Sequence, residues 1–326
     1  MDHFKDDPSR AVVPLLVSRG GAVQAEKLMG PYAIGGGKEY SVAWLRTLPF
    51  AAVHVMALGV FWVGWSWPAV AIAFALFWAR MFAITGFYHR YLSHRSYKTS
   101  RWFQFVFAVL GNLATQKGPL WWAAHHRHHH RYSDQERDLH SPRWKGFLHS
   151  HVGWFFAPVN FRANRALIPD LAKYRELRFL DEFDFVAPTL LAAATFGLGC
   201  IIDWMRPELG TSGIQMLIWG FFVSTVFLAH STFTVNSLSH LFGGRRFETG
   251  DTSRNNPLLA FLTLGEGWHN NHHHYATSAR QGFYWWEVDL TFYGLLLLAK
   301  LGLIWDLKPV PAHILAAGRT GAAAAA

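Results

Sequence analysis

Four long apolar runs constrain this chain more than any other feature. They fall at about 48–65 ("LPFAAVHVMALGVFWVGW"), 68–88, 185–202 and 214–235. A hydrocarbon core of about 30 Å takes about 20 helical residues to cross, and each run comes close to that length. A single charge, Arg80, interrupts the second run. Trp and Tyr lie near the ends, where amphipathic rings meet the membrane boundary. The joints "SWP" and "DWMRPELGTSG" are short, so the runs pair as two antiparallel hairpins. A soluble helical core fits this pattern less well: charged residues are 16% of the chain, against about 25% in an average soluble domain. The reading is an all-α integral membrane protein with four transmembrane helices.

Charge sets the orientation. Residues 89–182 carry fifteen Lys/Arg against seven Asp/Glu, while Arg206 is the sole basic residue of the two joints. Short loops rich in Lys and Arg stay in the cytoplasm. The long loop and both termini are therefore expected there. That basic face suits anionic headgroups or an anionic substrate handle. Nucleic acid is not an expected partner, because the charge lies beside spans and no nucleic-acid-binding motif accompanies it.

The ends are simpler. "MDHFKDDPSR" is polar and acidic and reads as no secretory signal. Residues 1–43 read as a mobile cytosolic arm; "GGG" at 35–37 lacks the strand and GK[ST] of a phosphate loop. Residues 44–310 form one membrane domain, and 311–326 read as a disordered tail. The lone cysteine, Cys200, lies in an apolar stretch and excludes a Cys-based metal cluster.

Nineteen histidines remain to be explained, and they are clustered. "HRYLSH" supplies His89 and His94 after the second run. "AAHHRHHHRYS" supplies His125, His126, His128, His129 and His130. "NSLSH" supplies Asn236 and His240 after the fourth run, and "GEGWHNNHHHY" supplies His269, His272, His273 and His274. All fall on the cytosolic side or at the membrane boundary. Residues three and four apart share a helix face, so His269, His272 and His273 can point one way. His89 and His94, five apart, suit one face poorly and are expected to straddle a helix end. The five-His run contains H-x-x-H-H in two registers, His125/His128/His129 and His126/His129/His130, and spacing does not choose between them. Neutral imidazole binds iron, zinc, copper and nickel, and one zinc site takes about four ligands. Eight or more converging imidazoles point to two metals. His54 and His230, inside apolar runs, read as hydrogen-bonded core residues, His149 and His151 as structural, and His3 and His313 as exposed.

Together, "HRYLSH", "HHRHHHRYS", "NSLSH" and "GEGWHNNHHH" resemble the membrane fatty acyl-CoA desaturases of the delta-9, stearoyl-CoA type, bacterial branch. The likeness runs over about residues 45–308 and includes "GFLHSHVGWFF", "GDTSRNN" and "SARQGFYWWEVDLTFY". The resemblance implies four spans in a bacterial inner membrane, with a cytosolic helical cap and a His-rich di-iron centre. In that family the second box is followed by basic, aromatic, Ser, here Arg131, Tyr132 and Ser133. That register makes His126, His129 and His130 ligands, with His89, His94, His240, His269, His272 and His273, and Asn236 through a water. His125, His128 and His274 fall outside it. A bent acyl tunnel is implied at Gln116, Trp122 and Thr232. Phe233 departs from the family, which has Trp there. Asp134, Glu136, Asp138 and His140 are expected to hold ligating imidazoles, Asp138 and His140 foremost. The implied reaction uses O2 and two Fe ions to place a cis double bond, delta-9 in the nearest branch, in a saturated fatty acyl-CoA. Arg162, Arg165, Lys173, Arg175 and Arg178 are candidates for the CoA phosphates. Electrons must come from a separate ferredoxin, cytochrome or flavoprotein reductase, since the chain has no haem, Cys-cluster or dinucleotide motif. Other readings are an acyl-lipid desaturase, different regiochemistry, a His-rich hydroxylase or a metal transporter. The Asn236/His240 pair favours a desaturase over a hydroxylase, and the boundary position of the clusters speaks against a transporter, whose ligands lie near mid-bilayer.

Overall fold

A computed structural model of the protein describes residues 42–320. The expected arm thus lies almost wholly outside the described residues, as do residues 321–326. Helix α1 (Trp44–Val63) and helix α2 (Trp67–Ser93) form the first hairpin. Ser66 starts α2, its hydroxyl accepting from Ala69 N–H (3.4 Å), and Pro68 occupies the first turn, where a missing N–H costs nothing. Strand β1 (Lys98–Thr99) follows, then α3 (Arg101–Asn112), α4 (Pro119–Tyr132), α5 (Pro142–His151) and α6 (Arg175–Glu182). The second hairpin is α7 (Val186–Met205) and α8 (Gly213–His240). After it come α9 (Pro257–Leu262), α10 (His269–His274), α11 (Leu290–Lys300), strand β2 (Ile304–Trp305) and α12 (Ala312–Thr320). Helices α3–α6 and α9–α12 form a cap at the α2 and α8 ends of the bundle. β1 and β2 pair antiparallel and tie its two halves together.

Four helices among the described residues are long and apolar enough to cross a membrane: α1, α2, α7 and α8. Two of them outrun the apolar sequence. α2 continues past 88 to Ser93, and α8 past 235 to His240, because both carry polar residues up into the cap. From Ala83 to Ser93 α2 is a π-helix, with its wider i→i+5 turn. His94 N–H accordingly bonds His89 C=O (3.2 Å). His89 lies in α2 and His94 caps its end, so the two straddle the helix end as expected. The chain between them does not bend away but winds on as the π-helix, so the expected poor sharing of a face is corrected. In a π turn, residues five apart share a face, and the two rings meet at 4.9 Å.

Close helix contact holds the bundle together. A Cβ on Gly199 of α7 would lie 2.6 Å from Met216 Cβ and 2.7 Å from Ser212 O on the neighbouring helix and its lead-in. Small residues let backbones approach where lipid offers no hydrophobic drive. Arg80, buried inside α2, donates to Thr225 Oγ1 (2.8 Å) and Ser224 Oγ (2.5 Å) of α8 and to Leu76 C=O (3.1 Å). The charge that interrupts the second run therefore bolts it to the fourth.

The disordered tail also needs correction. Residues 312–320 form α12, which buries Ile314 against Phe247, Phe283 and Tyr284. The Tyr284 hydroxyl donates to Leu315 C=O (2.9 Å). The composition of the tail did not reveal this, because its partner surface is built by distant residues.

Gly199→Leu should lower the thermal midpoint of detergent-solubilised protein, by an amount on the order of the 1–3 kcal/mol typical of overpacking. Gly197→Ala serves as the control: the added Cβ meets open space, and the midpoint should change little.

Candidate metal centre

Nine imidazoles converge in two adjoining groups. In the first, the ligand nitrogens of His89, His94, His126, His130 and His272 all lie within 4.8 Å of one another; in the second, so do those of His129, His240, His269 and His273. Nε2 atoms face each other in both: His94–His126 at 2.7 Å, His130–His272 at 2.9 Å, His89–His272 at 3.0 Å and His240–His269 at 3.1 Å. Each H-x-x-H-H box is divided between the groups. On α4, His126 and His130, one helical turn apart, join the first, and His129 turns to the second. On α10, His269 and His273 join the second, and His272 turns to the first. The boxes thus link the two groups rather than each building its own.

Carboxylates set which nitrogen faces inward. His129 Nδ1–H donates to Asp138 (3.1 Å), His240 Nδ1–H to Asp134 (3.0 Å) and His273 Nδ1–H to Asp251 (2.6 Å), and His89 Nδ1 pairs with Glu266. Each bond fixes the tautomer and leaves the Nε2 lone pair free for a metal. The carboxylates are themselves held. Asp134 accepts from the Ser141 hydroxyl (2.5 Å) and from Thr252 N–H (2.7 Å). Glu266 accepts from Arg90 Nη2 (3.0 Å) and Gln281 Nε2 (3.0 Å), and Arg90 also grips Asp289 (2.9 Å). Gly265 is required beside that ion pair: its φ is +127°, and a Cβ there would meet Asp289 Oδ1 at 2.5 Å.

Electrostatics agree with a ligand role. Burial, reinforced by neighbouring imidazoles, holds His94, His126, His130, His269 and His272 well below the ordinary histidine range, so these rings are neutral. Burial also pulls His129 down, but Asp138 outweighs it and raises His129 above its ordinary value. Burial would raise Asp134, Asp138 and Asp251, yet the facing imidazoles hold all three below the usual carboxylate range. The donor set fits a metal on the residues' own evidence. Among the described residues, His273 Nε2 is buried with no hydrogen-bond partner. Facing lone pairs 2.7–3.1 Å apart are satisfied together only by protons or a cation.

The remaining predicted residues separate cleanly. Asn236 lines one cavity with His89, His126, His129 and His269, and Trp122, Thr232, Met81 and Ile84 line the same cavity. Gln116 Nε2 donates to Thr232 Oγ1 (2.9 Å) at its edge. Phe233 does not line it; it packs on Phe155 (5.3 Å), on the other side of α8. His125 turns its Nδ1 to Trp121 C=O (2.8 Å), His128 its Nε2 to Arg137 C=O (2.9 Å), and His274 stacks on Phe247 (4.1 Å). Of the expected supports, Asp138 and Asp134 hold imidazoles. His140 instead lays its ring against His129 at 4.3 Å, and Glu136 is exposed. Arg162, Arg165, Lys173 and Arg175 stand at the surface of the cap, while Arg178 is half-buried and donates to Ala172 C=O.

Sequence reasoning missed Asp251 and Glu266, whose only signal was a place beside recognised boxes. It also missed a chain of three imidazoles apart from the centre: His54 Nε2 meets His230 Nε2, His230 Nδ1 meets His151 Nε2, and His151 Nδ1 meets Ser237 Oγ, each at 3.0 Å. These histidines are hydrogen-bonded as expected, but to one another.

A model of the fatty acid desaturase family matches residues 65–296. The sn-1 stearoyl-lipid 9-desaturase of Synechocystis sp. is 39% identical over 82% of this chain and 81% of its own. That of Anabaena variabilis is 37% identical over 82% and 94%. The icosanoyl-CoA 5-desaturase of Limnanthes douglasii is 38% identical over 74% and 66%.

His126→Ala or His130→Ala should cut bound metal per protein sharply, while His125→Ala or His128→Ala should leave most of it; elemental analysis of purified protein decides. Glu266→Gln should weaken metal affinity by roughly 10–100-fold, as loss of a ligand's support typically does. The depressed Asp134, Asp138 and Asp251 contribute stability that is complete above the ordinary carboxylate pKa of about 4 and lost progressively as pH falls from there toward their lowered folded-state values. The thermal midpoint should therefore drop between about pH 5 and pH 2, and less steeply in Asp138→Asn.

Proposed function

The chain belongs to the fatty acid desaturase family, and from that premise we propose that it introduces a cis double bond, delta-9 in position, into a saturated fatty acyl chain. The observation that carries this reading is the cavity whose wall holds His89, His126, His129, His269 and Asn236 beside Met81, Ile84 and Val235. An apolar wall suits methylene groups, and a line of imidazole nitrogens beside it suits oxidation of those methylenes. His89, His94, His126, His130 and His272 would hold one iron, and His129, His240, His269 and His273 the other, with Asn236 reaching the second through water. Two bound irons supply, with O2 and two electrons, the oxidation that unactivated CH2 groups require. Overall, a CH2–CH2 pair, O2, two electrons and two protons give a CH=CH pair and two waters.

The protein's own part is to position. Glu266, Asp138, Asp134 and Asp251 keep the imidazole lone pairs aimed inward before anything binds. The Gln116–Thr232 bond joins the loop before α4 to α8 at the cavity's edge. A chain bent there presents two adjacent carbons in the geometry that yields a cis product. The basic cap and the two termini would face the cytoplasm by the charge rule. A separate electron donor, a ferredoxin, cytochrome or flavoprotein reductase, would dock there.

Two acyl carriers are supported by different observations. Arg162, Arg165, Lys173 and Arg175 at the cap surface suit the phosphates of an acyl-CoA. The stearoyl-lipid names of the cyanobacterial relatives favour a chain already esterified in a membrane lipid.

Expression with a suitable electron donor in a host lacking its own desaturase should produce oleate and palmitoleate. An unchanged fatty-acid profile, with iron bound and reducible, would refute the proposal. Purified protein offered stearoyl-CoA and, separately, stearoyl phospholipid should desaturate one carrier at least about tenfold faster, which decides between the two.

A further inference from the structure

Helix α11 presents a face that the four spans do not account for. Its inner face packs on α2. Thr291 Oγ1 shares a hydrogen bond with Thr85 Oγ1 (2.7 Å), and Leu295 lies against Gly86. Gly294 gives room for Phe82, whose ring would clash with any Cβ there. Its outer face is apolar along the whole length: Leu290, Tyr293, Leu296, Leu297 and Leu301 are all exposed, Leu297 by 58% and Leu301 by 62%. Trp285, just before the helix, is 81% exposed. Lys300 closes the helix.

Depth says what covers this face. At ~1.5 Å per residue, about 20 residues counted from Trp67 cross a hydrocarbon core of about 30 Å and end near Gly86. Phe82, Thr85 and Gly86 therefore lie within the membrane at its cap-side boundary, and α11 is packed on them. The helix has 11 residues, too few to cross. From α2 it runs toward α3, where Leu298 and Ala299 share a cluster with Phe103 and Phe107. It thus lies along the boundary rather than through it. The inner face is taken up by protein, and an apolar outer face flanked by an exposed Trp and a terminal Lys suits the edge of the hydrocarbon layer.

We infer that α11 is a fifth membrane-contacting element, an in-plane helix whose outer face is covered by lipid of the leaflet next to the cap. This seat touches the metal centre's supports. Asp289 caps α11 by accepting from Phe292 N–H (2.9 Å) and grips Arg90 with the same carboxylate. Arg90 in turn holds Glu266. The depth of α11 in the leaflet is thereby linked to the orientation of His89. The inference stands on the four spans and does not depend on the reaction catalysed.

Spin labels test it in the full-length protein in phospholipid nanodiscs, with Cys200→Ala removing the native thiol. Labels would be placed by Leu297→Cys and Leu301→Cys. Phe61→Cys, on the exposed face of α1, gives the lipid reference, and Glu136→Cys the water reference. Collision with O2, which concentrates in lipid, is compared with collision with a water-soluble nickel chelate. The expected result is a ratio at both α11 positions within about twofold of Phe61→Cys. A ratio matching Glu136→Cys would overturn the inference. So would protection from both agents, since that means a protein partner or a second copy covers the face. In the same Cys200→Ala background, brominated lipid should quench a bimane label at Leu297→Cys and leave one at Glu136→Cys bright; equal brightness at the two positions would also overturn it.

Discussion

A histidine offers its lone pair to a metal in a fixed direction only when something holds its other ring nitrogen. Here Glu266, Asp134, Asp138 and Asp251 do so for His89, His240, His129 and His273. The rest of the cap can be understood as the means of placing those four carboxylates in an apolar interior. A buried carboxylate is costly unless it is fully bonded. Asp134 is held by Ser141 and Thr252, Glu266 by Arg90 and Gln281, and Asp251 by Ser253 and Thr249. Asp138 accepts from the backbone N–H of Asp134 and His140. Most of these supports come from sequence far from the boxes they serve. This makes the centre a property of the assembled cap and not of any one motif.

The membrane bundle contributes by holding two helix ends at fixed height. α2 and the residue after it deliver His89 and His94, and α8 delivers Asn236 and His240. Arg80 joins these helices deep in the bundle, so their upper ends cannot drift apart freely. Between those ends lies the cavity, with apolar residues below and imidazoles above. A long apolar chain and a cluster of nitrogen donors are thus brought together at the membrane boundary, where neither water nor lipid alone would place them.

Much of this was legible beforehand for physical reasons. The four spans follow from length and polarity, since lipid requires every backbone group to be bonded within a helix. The histidine boxes were visible as dense, separated clusters. The choice of His126/His129/His130 over His125/His128/His129 came from resemblance, and the fold places the former in the clusters and the latter's His125 and His128 against backbone carbonyls. The end of the helix between His89 and His94 was legible, but their shared face was not, because the stretch that joins them winds as a π-helix and not with the α-helical period. Nothing local marks Ala83–Ser93 as wider than its surroundings.

The sequence by itself determined the class of protein, the number and position of its spans, and the stock of nitrogen donors. These depend on composition and on short-range spacing, which a linear chain carries intact. Only the tertiary structure decided how the donors divide into groups of five and four, which carboxylate aims each ring, and which apolar faces stay uncovered. Those are relations between residues far apart in the chain, such as His89 with Glu266 and His272. They arise only when packing brings together groups that share no local pattern.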